Sequence, residues 1–327
     1  MKVGVIALGS WGTAIANLLA DNGHHVVAYA RDEAFIAMLE RERENKKYLP
    51  GVRLHDEIQF THDIRKAVAD AEMIVSAIPT QGFRDSYASY RDYIPNEAVL
   101  VNLAKGIEIK SGLTLSKVAN TDRYVLLSGP THAEEVAARH PSAIVAASEN
   151  AQLAETVQHA FSNDYFRVYR SDDLEGVEIA GALKNVIAVA AGIVDGIGYG
   201  DNAKAALITR GLAEITRFGM EKGARKETFS GLAGVGDMIV TCGSRHSRNL
   251  RCGELIGKGE TLDSAVAKIG MVVEGVHTIR AVMALLAQMP DIEMPITEML
   301  YKIIYEGLDA RQAIRNLMTR KTKHENE

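Results

Sequence analysis

The chain has 327 residues, 47% of them hydrophobic, and this length predicts about two domains with sizeable cores. A net charge of -5 disfavours a general nucleic-acid-binding surface or an anionic-membrane surface. Two cysteines, Cys242 and Cys252, are too few for a disulfide framework, and no basic and apolar leader precedes the first strand, so a cytoplasmic protein is expected. With His246 these cysteines lack a fourth ligand at zinc-like spacing, so no metal site is expected.

The chain opens with the pattern of a nucleotide-binding unit. Residues 3–7 form a short buried-type strand, and the turn that follows, which reads ALGSWG over residues 7–12, leads into an apolar helix. At such a helix start, backbone N–H groups and the helix dipole make a site for a pyrophosphate. Ala7 stands where the first glycine of this fingerprint usually lies, so the turn either keeps a negative φ or tolerates about 1–2 kcal/mol of strain. A tight turn that binds nothing is the alternative interpretation.

The second strand, residues 25–29, ends where a ribose-reading residue is expected. Arg31 follows it and can pair with a 2′-phosphate, which favours NADP, whereas the adjacent Asp32 suits the free 2′-hydroxyl of NAD. We therefore expect use of both cofactors, with NADP slightly favoured. The alternative is that Arg31 is a solvated residue at the start of the next helix, with Asp32 as the N-cap of that helix.

Strands and helices go on alternating through the first half of the chain. Further buried-type strands are predicted at residues 73–78, 98–101, 124–127, 143–147 and 166–169. This alternation predicts an α/β fold with a doubly wound, mostly parallel Rossmann-type sheet that binds ligands at the carboxyl ends of its strands. Three loops leave those ends, at residues 79–82, 102–106 and 128–133. Lys105 in the second loop either presents a cation to a phosphate or is a plain solvated charge.

The pattern changes after residue 171, because no convincing strand follows and helical stretches are joined by glycine-rich turns. We therefore predict a dinucleotide-binding domain over residues 1–172 and an all-α C-terminal domain, with the substrate and catalytic groups, over residues 173–327. Helices are expected at residues 201–218, 276–286, 295–307 and 309–318. The charged tail, residues 319–327, is expected to be mobile.

One helix of the second half carries a lysine in an otherwise apolar setting. Residues 178–195 place apolar side chains on all sides of a helical wheel, which predicts a buried helix. A buried ammonium either costs several kcal/mol or loses its proton, so Lys184 is a candidate acid or base with a lowered pKa. In the alternative, Lys184 lies at the edge of the buried face and extends its amine to water.

Two further segments carry polar residues after glycines or at a helix start. Asp237 follows the glycines at positions 231, 234 and 236, and it either takes part in a site or caps the helix that begins there. Ser247 is predicted to be an N-cap, which places Arg248 and Asn249 in a first helical turn. Free N–H groups and a guanidinium in that turn would converge on a phosphate. A helix start without a ligand is the alternative.

Taken together, these segments resemble the bacterial NAD(P)-dependent glycerol-3-phosphate dehydrogenase family over nearly the whole chain. The resemblance rests on motifs at residues 9–14, 48–51, 105–108, 128–130, 178–185, 231–237, 247–249 and 272–275. It implies a Rossmann domain followed by a helical domain. It also implies an NAD(P)-dependent oxidoreductase that interconverts dihydroxyacetone phosphate and sn-glycerol 3-phosphate by hydride transfer and feeds glycerophospholipid synthesis.

The resemblance also implies roles for individual residues. Lys184 matches the family's proton donor and acceptor. Substrate-contacting positions match Lys105, Gly129, Thr131, Lys184, Asp237, Ser247, Arg248 and Asn249. Cofactor-contacting positions match Ser10, Trp11, Arg31, Lys105, Ala133, Arg248, Val272 and Glu274, and the fingerprint turn adds Gly9 and Gly12. The chain departs from the family at Ala7 and at Thr131-His132, where Ser-Phe is common, although threonine keeps the hydroxyl.

Two alternatives stand beside this interpretation. One is another dehydrogenase of the same Rossmann-plus-helical plan, acting on a hydroxy acid or a hydroxyacyl thioester. The other is a non-catalytic nucleotide-sensing module, in which Lys184→Ala would leave ligand responses intact. The expected partner is a small phosphorylated triose, with no nucleic acid and no membrane, and a homodimer is left open.

Overall fold

The first half of the chain forms an eight-stranded sheet and a separate two-stranded hairpin in the computed structural model, which describes residues 1–322 and 324–325. The strands are β1 (Lys2–Ile6), β2 (His25–Tyr29), β3 (Glu44–Asn45), β4 (Leu49–Arg53), β5 (Gln59–Thr61), β6 (Met73–Ser76), β7 (Val99–Asn102), β8 (Tyr124–Ser128), β9 (Ser142–Ala147) and β10 (Phe166–Ser171). The large sheet has the order β10-β9-β8-β7-β6-β1-β2-β5, and β3 pairs with β4.

Helices connect the strands and cover the sheet. They are α1 (Ser10–Asp21), α2 (Glu33–Glu42), α3 (Ile64–Val68), α4 (Thr80–Tyr90), α5 (Leu115–Ala119), α6 (Ala133–Ala137) and α7 (Ala151–Phe161). Short polar side chains begin several of them. Asp32, Asp63 and Asn150 each accept a hydrogen bond from a backbone N–H in the first turn of α2, α3 and α7, which satisfies donors that the helix itself leaves free.

The predicted Rossmann-type sheet is confirmed. β1 pairs in parallel with β2 on one side and with β6 on the other, so the strand order reverses beside β1. In open α/β sheets, ligands bind outside the carboxyl ends of the strands at such a switch point. The segments that leave β1, β6 and β7 therefore meet where a nucleotide is expected.

The sheet contains features that the sequence pattern does not predict. β3 has two residues, β5 has three, and β4 contains Pro50 and Gly51, so none of them shows the alternation of apolar residues that marks a strand. β9 runs antiparallel to β8. The pattern of apolar residues indicates that a segment is an extended, buried strand. It does not indicate whether the neighbouring strand is parallel or antiparallel to it.

The second half is helical, and no strand lies among its described residues. Its elements are α8 (Leu174–Gly196), α9 (Asp201–Glu221), α10 (Lys226–Phe229), a π-helical turn (Leu232–Gly236), α11 (Asp237–Gly243), α12 (Arg248–Gly257), α13 (Leu262–Ile269), α14 (Glu274–Leu286), α15 (Pro295–Glu306) and α16 (Ala310–Met318). The predicted helices are present with ends shifted by a few residues. The predicted all-α second half is therefore confirmed.

α8 is the core helix of the second half and packs against α9, α11, α12 and α14. The backbones of α12 and α8 approach closely at two glycines. A Cβ on Gly192 would lie 2.0 Å from the Leu250 carbonyl oxygen, and a Cβ on Gly253 would lie 2.0 Å from the Val189 carbonyl oxygen. By length and composition alone α8 is apolar enough to cross a membrane, but its most apolar stretch is entirely buried within the protein. Any charge in the middle of this helix must find its partners inside the protein.

The predicted boundary between the halves falls in the short turn between β10 and α8. Asp173 caps α8 by accepting a hydrogen bond from the Gly176 N–H at 3.1 Å, and its other oxygen accepts one from the Arg225 N–H at 3.0 Å. Leu174 and Val177 pack with apolar residues of the sheet and its helices. The first turns of α8 thus pack against the first half of the chain as well as the second. The domain boundary at residues 172 and 173 therefore stays a prediction. Of the predicted mobile tail, residues 323, 326 and 327 lie outside the described residues.

Candidate active site

A cleft of about 1700 Å³ lies between the two halves, where the segments that leave β1, β6, β7 and β8 face the starts of α12 and α14. Ligand pockets are typically about 300–1000 Å³, so this cleft has room for a dinucleotide together with a second small molecule. The predicted site residues that line it are Gly9, Ser10, Trp11, Gly12, Arg31, Lys105, Thr131, Ala133, Lys184, Asp237, Ser247, Arg248, Asn249, Val272 and Glu274. Gly129 lies behind the wall, and its carbonyl accepts a hydrogen bond from Lys105 Nζ at 2.9 Å.

The turn between β1 and α1 keeps a strained residue. Ala7 has a φ of 76°, in the left-handed region that costs an L-residue about 1–2 kcal/mol. The turn therefore tolerates the strain and does not keep a negative φ. The Ala7 N–H donates to the Tyr29 carbonyl at 3.0 Å, and Asn45 Nδ2 donates to the Leu8 carbonyl at 3.0 Å. A Cβ on Gly12 would lie 2.0 Å from the Ala7 carbonyl oxygen. The turn therefore needs glycine at position 12, and α1 begins with backbone N–H groups directed at the cleft.

Arg31 and Asp32 line the cleft just after the end of β2. Asp32 is the N-cap of α2, and its side chain accepts a hydrogen bond from the Phe35 N–H at 3.1 Å. Arg31 is exposed and lines the cleft with Lys47. Within the described part of the chain, Arg31 has no carboxylate partner. The carboxylate of Asp32 is thus engaged in capping α2, and the guanidinium of Arg31 is free for a ligand.

Lys184 is buried on α8 at the base of the cleft, with 6% of its surface exposed. Its Nζ donates to Asp237 Oδ1 and, at 2.7 Å, to Thr241 Oγ1. The alternative in which this amine reaches water at the helix edge is wrong. Burial lowers the pKa of Lys184 to about 8, and the positive charge of Lys105 acts in the same direction, while Asp237 opposes both.

Asp237 joins two lysines that belong to different halves of the chain. Its Oδ2 accepts a hydrogen bond from Lys105 Nζ at 2.8 Å, on the opposite side from Lys184. It begins α11 but makes no cap, so its side chain is left for the two amines. Burial tends to raise the pKa of Asp237, but Lys105 and Lys184 outweigh burial and hold the pKa of this carboxyl below its usual range. Lys105 is also largely buried, so the interpretation of a solvated loop charge is wrong for it.

The position of Asp237 depends on the glycines that precede it. The π-helical turn before α11 folds back on α10, and a Cβ on Gly234 would lie 2.1 Å from the Phe229 carbonyl oxygen. Thr241 stands four residues after Asp237 on the same helical face, and its hydroxyl also donates to the Asp237 carbonyl at 2.6 Å. Thr241 is not among the predicted site residues, although its spacing of four residues from Asp237 puts both on one helical face.

The start of α12 has the form of an anion site. Ser247 is its N-cap, as predicted, and accepts a hydrogen bond from the Leu250 N–H at 3.2 Å. Arg248 is partly buried, and burial lowers the pKa of its guanidinium, while Glu274 and Glu134 act in the opposite direction. No carboxylate of the described residues forms an ion pair with Arg248. A partly buried cation beside free backbone N–H groups is suited to an anionic ligand.

The side chain of Asn249 is occupied by the fold. Its Nδ2 donates to Asn185 Oδ1 at 2.9 Å, and its Oδ1 accepts a hydrogen bond from the Gly275 N–H at 2.9 Å. Asn185 in turn donates to the carbonyl of Lys105 at 3.3 Å. These amides hold α8, α12 and α14 together around the cleft, and the Asn249 amide keeps one N–H and one lone pair for a further contact.

Glu274 links the start of α14 to the start of α4. Its Oε1 accepts a hydrogen bond from the Thr80 N–H at 2.9 Å, whereas its Oε2 is buried without a hydrogen-bond partner among the described residues. Burial raises the pKa of Glu274. Its neighbour Val272 is 38% exposed at the rim of the cleft. Both residues line the same cleft as Arg31 and Lys184.

Two protein-family models match consecutive parts of the chain. The N-terminus of NAD-dependent glycerol-3-phosphate dehydrogenase matches residues 2–154, and the C-terminus of the same enzyme matches residues 173–315. A glycerol-3-phosphate dehydrogenase (NAD(P)+) from Carboxydothermus hydrogenoformans is 51% identical, over 99% of this chain and 98% of its own length. The chain belongs to this glycerol-3-phosphate dehydrogenase family.

Other members of the family match over their full length as well. The glycerol-3-phosphate dehydrogenase (NAD(P)+) of Bacillus subtilis is 48% identical, over 100% of this chain and 96% of its own length. The crystal structure of glycerol-3-phosphate dehydrogenase from Coxiella burnetii superposes with a TM-score of 0.93 at 35% identity, and the match covers 97% of this chain and 98% of that one. The family resemblance seen in the sequence is thus confirmed over both halves of the chain.

Proposed function

We propose that this family member interconverts dihydroxyacetone phosphate and sn-glycerol 3-phosphate with NADP or NAD. The observation that carries the proposal is the buried Lys184, which is hydrogen-bonded to Asp237 at the base of a cleft between a dinucleotide turn and an anion-binding helix start. Relatives that match the whole chain are named glycerol-3-phosphate dehydrogenases. An acid group, a place for a nicotinamide and a place for a phosphate are the three requirements of this reaction.

The cofactor fits the residues on one side of the cleft. Gly9, Ser10, Trp11 and Gly12 supply the helix start that suits a pyrophosphate, with Arg31 at the ribose end and Ala133, Val272 and Glu274 along the path to Lys184. When bound, the reduced nicotinamide supplies the hydride that the ketone carbon accepts. The unpaired Arg31 is suited to a 2′-phosphate, so both cofactors are accepted and NADP is slightly favoured.

Lys184 supplies the proton in this proposal. Its ammonium donates to the oxygen of the ketone as negative charge develops there, and in the reverse direction the neutral amine accepts a proton from the alcohol. A pKa of about 8 leaves both forms accessible near neutral pH. Asp237 fixes the direction of the amine, and Lys105 on its other oxygen holds that carboxylate in place.

The start of α12 would bind the phosphate of the substrate. Arg248 and the backbone N–H groups of Asn249 and its neighbours supply charge and donors, Ser247 holds the helix start, and Thr131 lines the same cleft, while Gly129 contributes through its carbonyl, which holds Lys105. Because the phosphate is held there, the carbonyl is positioned at Lys184. Its binding energy therefore contributes to the rate as well as to affinity.

The cellular setting and the division of the chain follow from the same proposal. Cys242 and Cys252 are buried and unpaired, which suits the reducing cytoplasm. The product supplies the backbone for glycerophospholipid synthesis. We place the dinucleotide-binding domain at residues 1–172 and the substrate domain at residues 173–327. Light scattering would test whether the protein forms a homodimer.

The test is the oxidation of NADPH and of NADH, recorded by absorbance when dihydroxyacetone phosphate is added to the purified protein. Turnover with at least one cofactor is expected, and no turnover with either would contradict the proposal. Arg248→Ala is the second arm. It should reduce kcat/KM for dihydroxyacetone phosphate by at least about 100-fold, because a charge-assisted and partly buried phosphate contact is lost. An equal reduction with unphosphorylated dihydroxyacetone would refute the phosphate role.

A further inference from the structure

The stretch of chain that carries Lys105 passes from the sheet into the second half of the protein. It comprises residues 103–109, the crossing segment, which follow β7 and are neither helix nor strand. At its start the Leu103 N–H donates to the Ser76 carbonyl of the sheet at 2.9 Å. Further along, Ile107 is buried in the apolar core that α8 and α14 form. The position of the Lys105 backbone therefore depends on contacts outside regular secondary structure.

α4 holds the backbone of the crossing segment through one amide side chain. Gln81 Nε2 donates to the Ile107 carbonyl at 2.9 Å, and Gln81 Oε1 accepts a hydrogen bond from the Ile109 N–H at 3.0 Å. One of these backbone groups is an acceptor and the other a donor, so only a side chain that carries both functions can bind the two together. Gln81 thus takes the place of a neighbouring strand along this stretch.

The next turn of α4 holds the same segment by an ion pair. Arg84 stands three residues after Gln81, on the same helical face. Its Nε donates to Glu108 Oε1 at 2.8 Å and its Nη2 to Glu108 Oε2 at 2.6 Å, and the Ser111 hydroxyl also donates to this buried carboxylate. Arg84 holds the pKa of Glu108 below its usual range against the effect of burial. The pair therefore stays charged at neutral pH, and its forked geometry fixes direction as well as distance.

Gln81 and Arg84 act on the cleft indirectly. Asp85 of the same helix lines the cleft, whereas the side chains of Gln81 and Arg84 bond to the crossing segment. A Cβ on Gly106 would lie 2.4 Å from Thr80 Oγ1, so the segment runs directly against the first turn of α4. The segment is thus held between α4 on one side and the core of the second half on the other.

We propose that Gln81 and the Arg84–Glu108 ion pair are positioning residues for the reaction, which hold the crossing segment so that the amine of Lys105 stays on Asp237. Lys105 is the only residue of this group that reaches the reacting end of the cleft, and its Nζ donates to Asp237 Oδ2 at 2.8 Å. The inference rests on the proposed function, because it names the residues that hold a part of that site in place.

The proposal has a consequence for the proton affinity of Lys184. Burial first, and the charge of Lys105 as well, lower the pKa of Lys184, while Asp237 raises it. A displaced Lys105 takes its positive charge away and leaves the carboxylate of Asp237 to Lys184 alone. Both changes favour the ammonium form, so loosening the crossing segment should raise the pKa of Lys184. A role in folding alone would leave that pKa unchanged.

The test removes each contact with α4 by a substitution of similar length. Gln81→Met loses both bonds to the backbone, Arg84→Met loses the ion pair, and Arg84→Lys keeps the charge without the fork. Lys105→Met removes the positioned amine itself. Arg91→Met is the matched control, because Arg91 is an exposed arginine at the end of α4 that pairs with the adjacent Asp92.

Two quantities are measured for each full-length variant. The first is the pKa of Lys184, from an NMR titration of protein with lysine isotope-labelled at Cε, in which the Lys184 signal is assigned by its absence from Lys184→Met. The second is the pH dependence of kcat/KM for the reduction of dihydroxyacetone phosphate. Thermal unfolding identifies any variant that is not folded.

Lys105→Met should raise the pKa of Lys184 by about one pH unit, as expected for the loss of a neighbouring charge. Gln81→Met and Arg84→Met should raise it by about half as much, with Arg84→Lys between Arg84→Met and the wild type. The inflection of kcat/KM should move to higher pH by the same amounts. At pH 7, kcat/KM should fall by about tenfold in Gln81→Met and Arg84→Met, because a small displacement of a positioned group is costly to the rate.

Either of two results would overturn the proposal. One is a pKa of Lys184 in folded Gln81→Met and Arg84→Met that equals the value in Arg91→Met. The other is an Arg84→Met effect that persists in full in the Lys105→Met background, because an effect that passes through Lys105 must vanish when Lys105 is absent. If Arg84→Met does not fold, Gln81→Met decides, since Gln81 carries no charge and contributes the two backbone contacts.

The two proposals fail in different ways. A wild-type protein that does not turn over dihydroxyacetone phosphate refutes the proposed function. The NMR titration needs no turnover, so it still shows whether α4 holds Lys105 on Asp237. Wild-type turnover with an unchanged pKa of Lys184 in the α4 variants refutes the positioning role alone.

Discussion

The two ends of the cleft use the same residue types in opposite ways. At the base, Lys184 and Asp237 are buried and Lys105 is largely buried, and both amines donate hydrogen bonds to the single carboxylate of Asp237. Near the end of β2, Arg31 is exposed and unpaired within the described residues, and Lys47 is exposed as well. Burial lowers the pKa of Lys184, and the two lysines hold the pKa of Asp237 below its usual range, whereas Arg31 and Lys47 keep their charges exposed at the surface of the cleft. In the proposed function, a lysine or arginine thus acquires a chemical role or a recognition role according to its surroundings.

The largest effect is expected from Lys184→Met, which removes the proton donor and keeps an apolar side chain of similar length. We expect kcat to fall by about 100-fold to 10,000-fold, the range contributed by a positioned acid, with Kd for the cofactor nearly unchanged. Steady-state kinetics and cofactor fluorescence titration would measure the two quantities. Lys226→Met, at an exposed lysine outside the cleft, is the control. A kcat reduced less than about tenfold would show that the buried end does not supply the proton.

Asp237→Asn should be next in size, because it leaves two buried ammonium groups without a carboxylate. Breaking a buried ion pair by removing one partner costs about 3–5 kcal/mol, so we expect the free energy of unfolding to fall by about that amount at pH 6. The loss should be smaller at pH 9, because the neutral amine of Lys184 needs no counter-ion there. Urea unfolding at the two pH values measures both. Equal losses at the two pH values would contradict the buried charge cluster.

The pH dependence of the reaction should reflect the lowered pKa of Lys184, about 8. Reduction of the ketone uses the protonated amine, so its kcat/KM should be level below pH 8 and should fall about tenfold per pH unit above it. Oxidation of the alcohol uses the neutral amine and should rise with pH until about 8. In Asp237→Asn both inflections should move to lower pH, since the carboxylate no longer favours the ammonium. A wild-type inflection near pH 10 would refute the effect of burial.

Arg31→Ala should have the smallest effect and should change selectivity without changing the chemistry. We expect KM for NADPH to rise about tenfold, which corresponds to about 1.4 kcal/mol, and KM for NADH to change less than about twofold. Arg41→Ala removes an exposed arginine of α2 that does not line the cleft, so it serves as the control. Equal increases for the two cofactors would show that Arg31 does not read the 2′-phosphate.

Local pattern was a reliable guide wherever one segment determined its own structure. The strand before Ala7 and the buried helix around Lys184 follow from periodicity, and the cap at Ser247 follows from side-chain chemistry. The candidate site residues were found from motifs, and nearly all of them line one cleft. Their roles stay predictions until the variants are measured.

Pattern was a poor guide where an outcome depended on partners distant in the chain. The sequence allowed two conformations of Ala7. Its positive φ shows that the strained one is adopted, and the hydrogen bond to Tyr29 and the close approach of Gly12 hold it there. The pattern also gave no sign that the Asn249 amide bonds to Asn185 and Gly275, and the contact of Asn249 with a substrate stays a prediction.

By itself the sequence determined the order of strands and helices, the family, and the segments from which the site is made. Each of these depends on residues close together in the chain or on a fixed spacing between motifs. Only the tertiary structure decided that Lys105 and Lys184 share Asp237, which is 132 and 53 residues away from them, and that Arg84 pairs with Glu108. Proton affinity and unpaired polar atoms are properties of the assembled surroundings, because dielectric and hydrogen-bond partners exist only after the halves have packed.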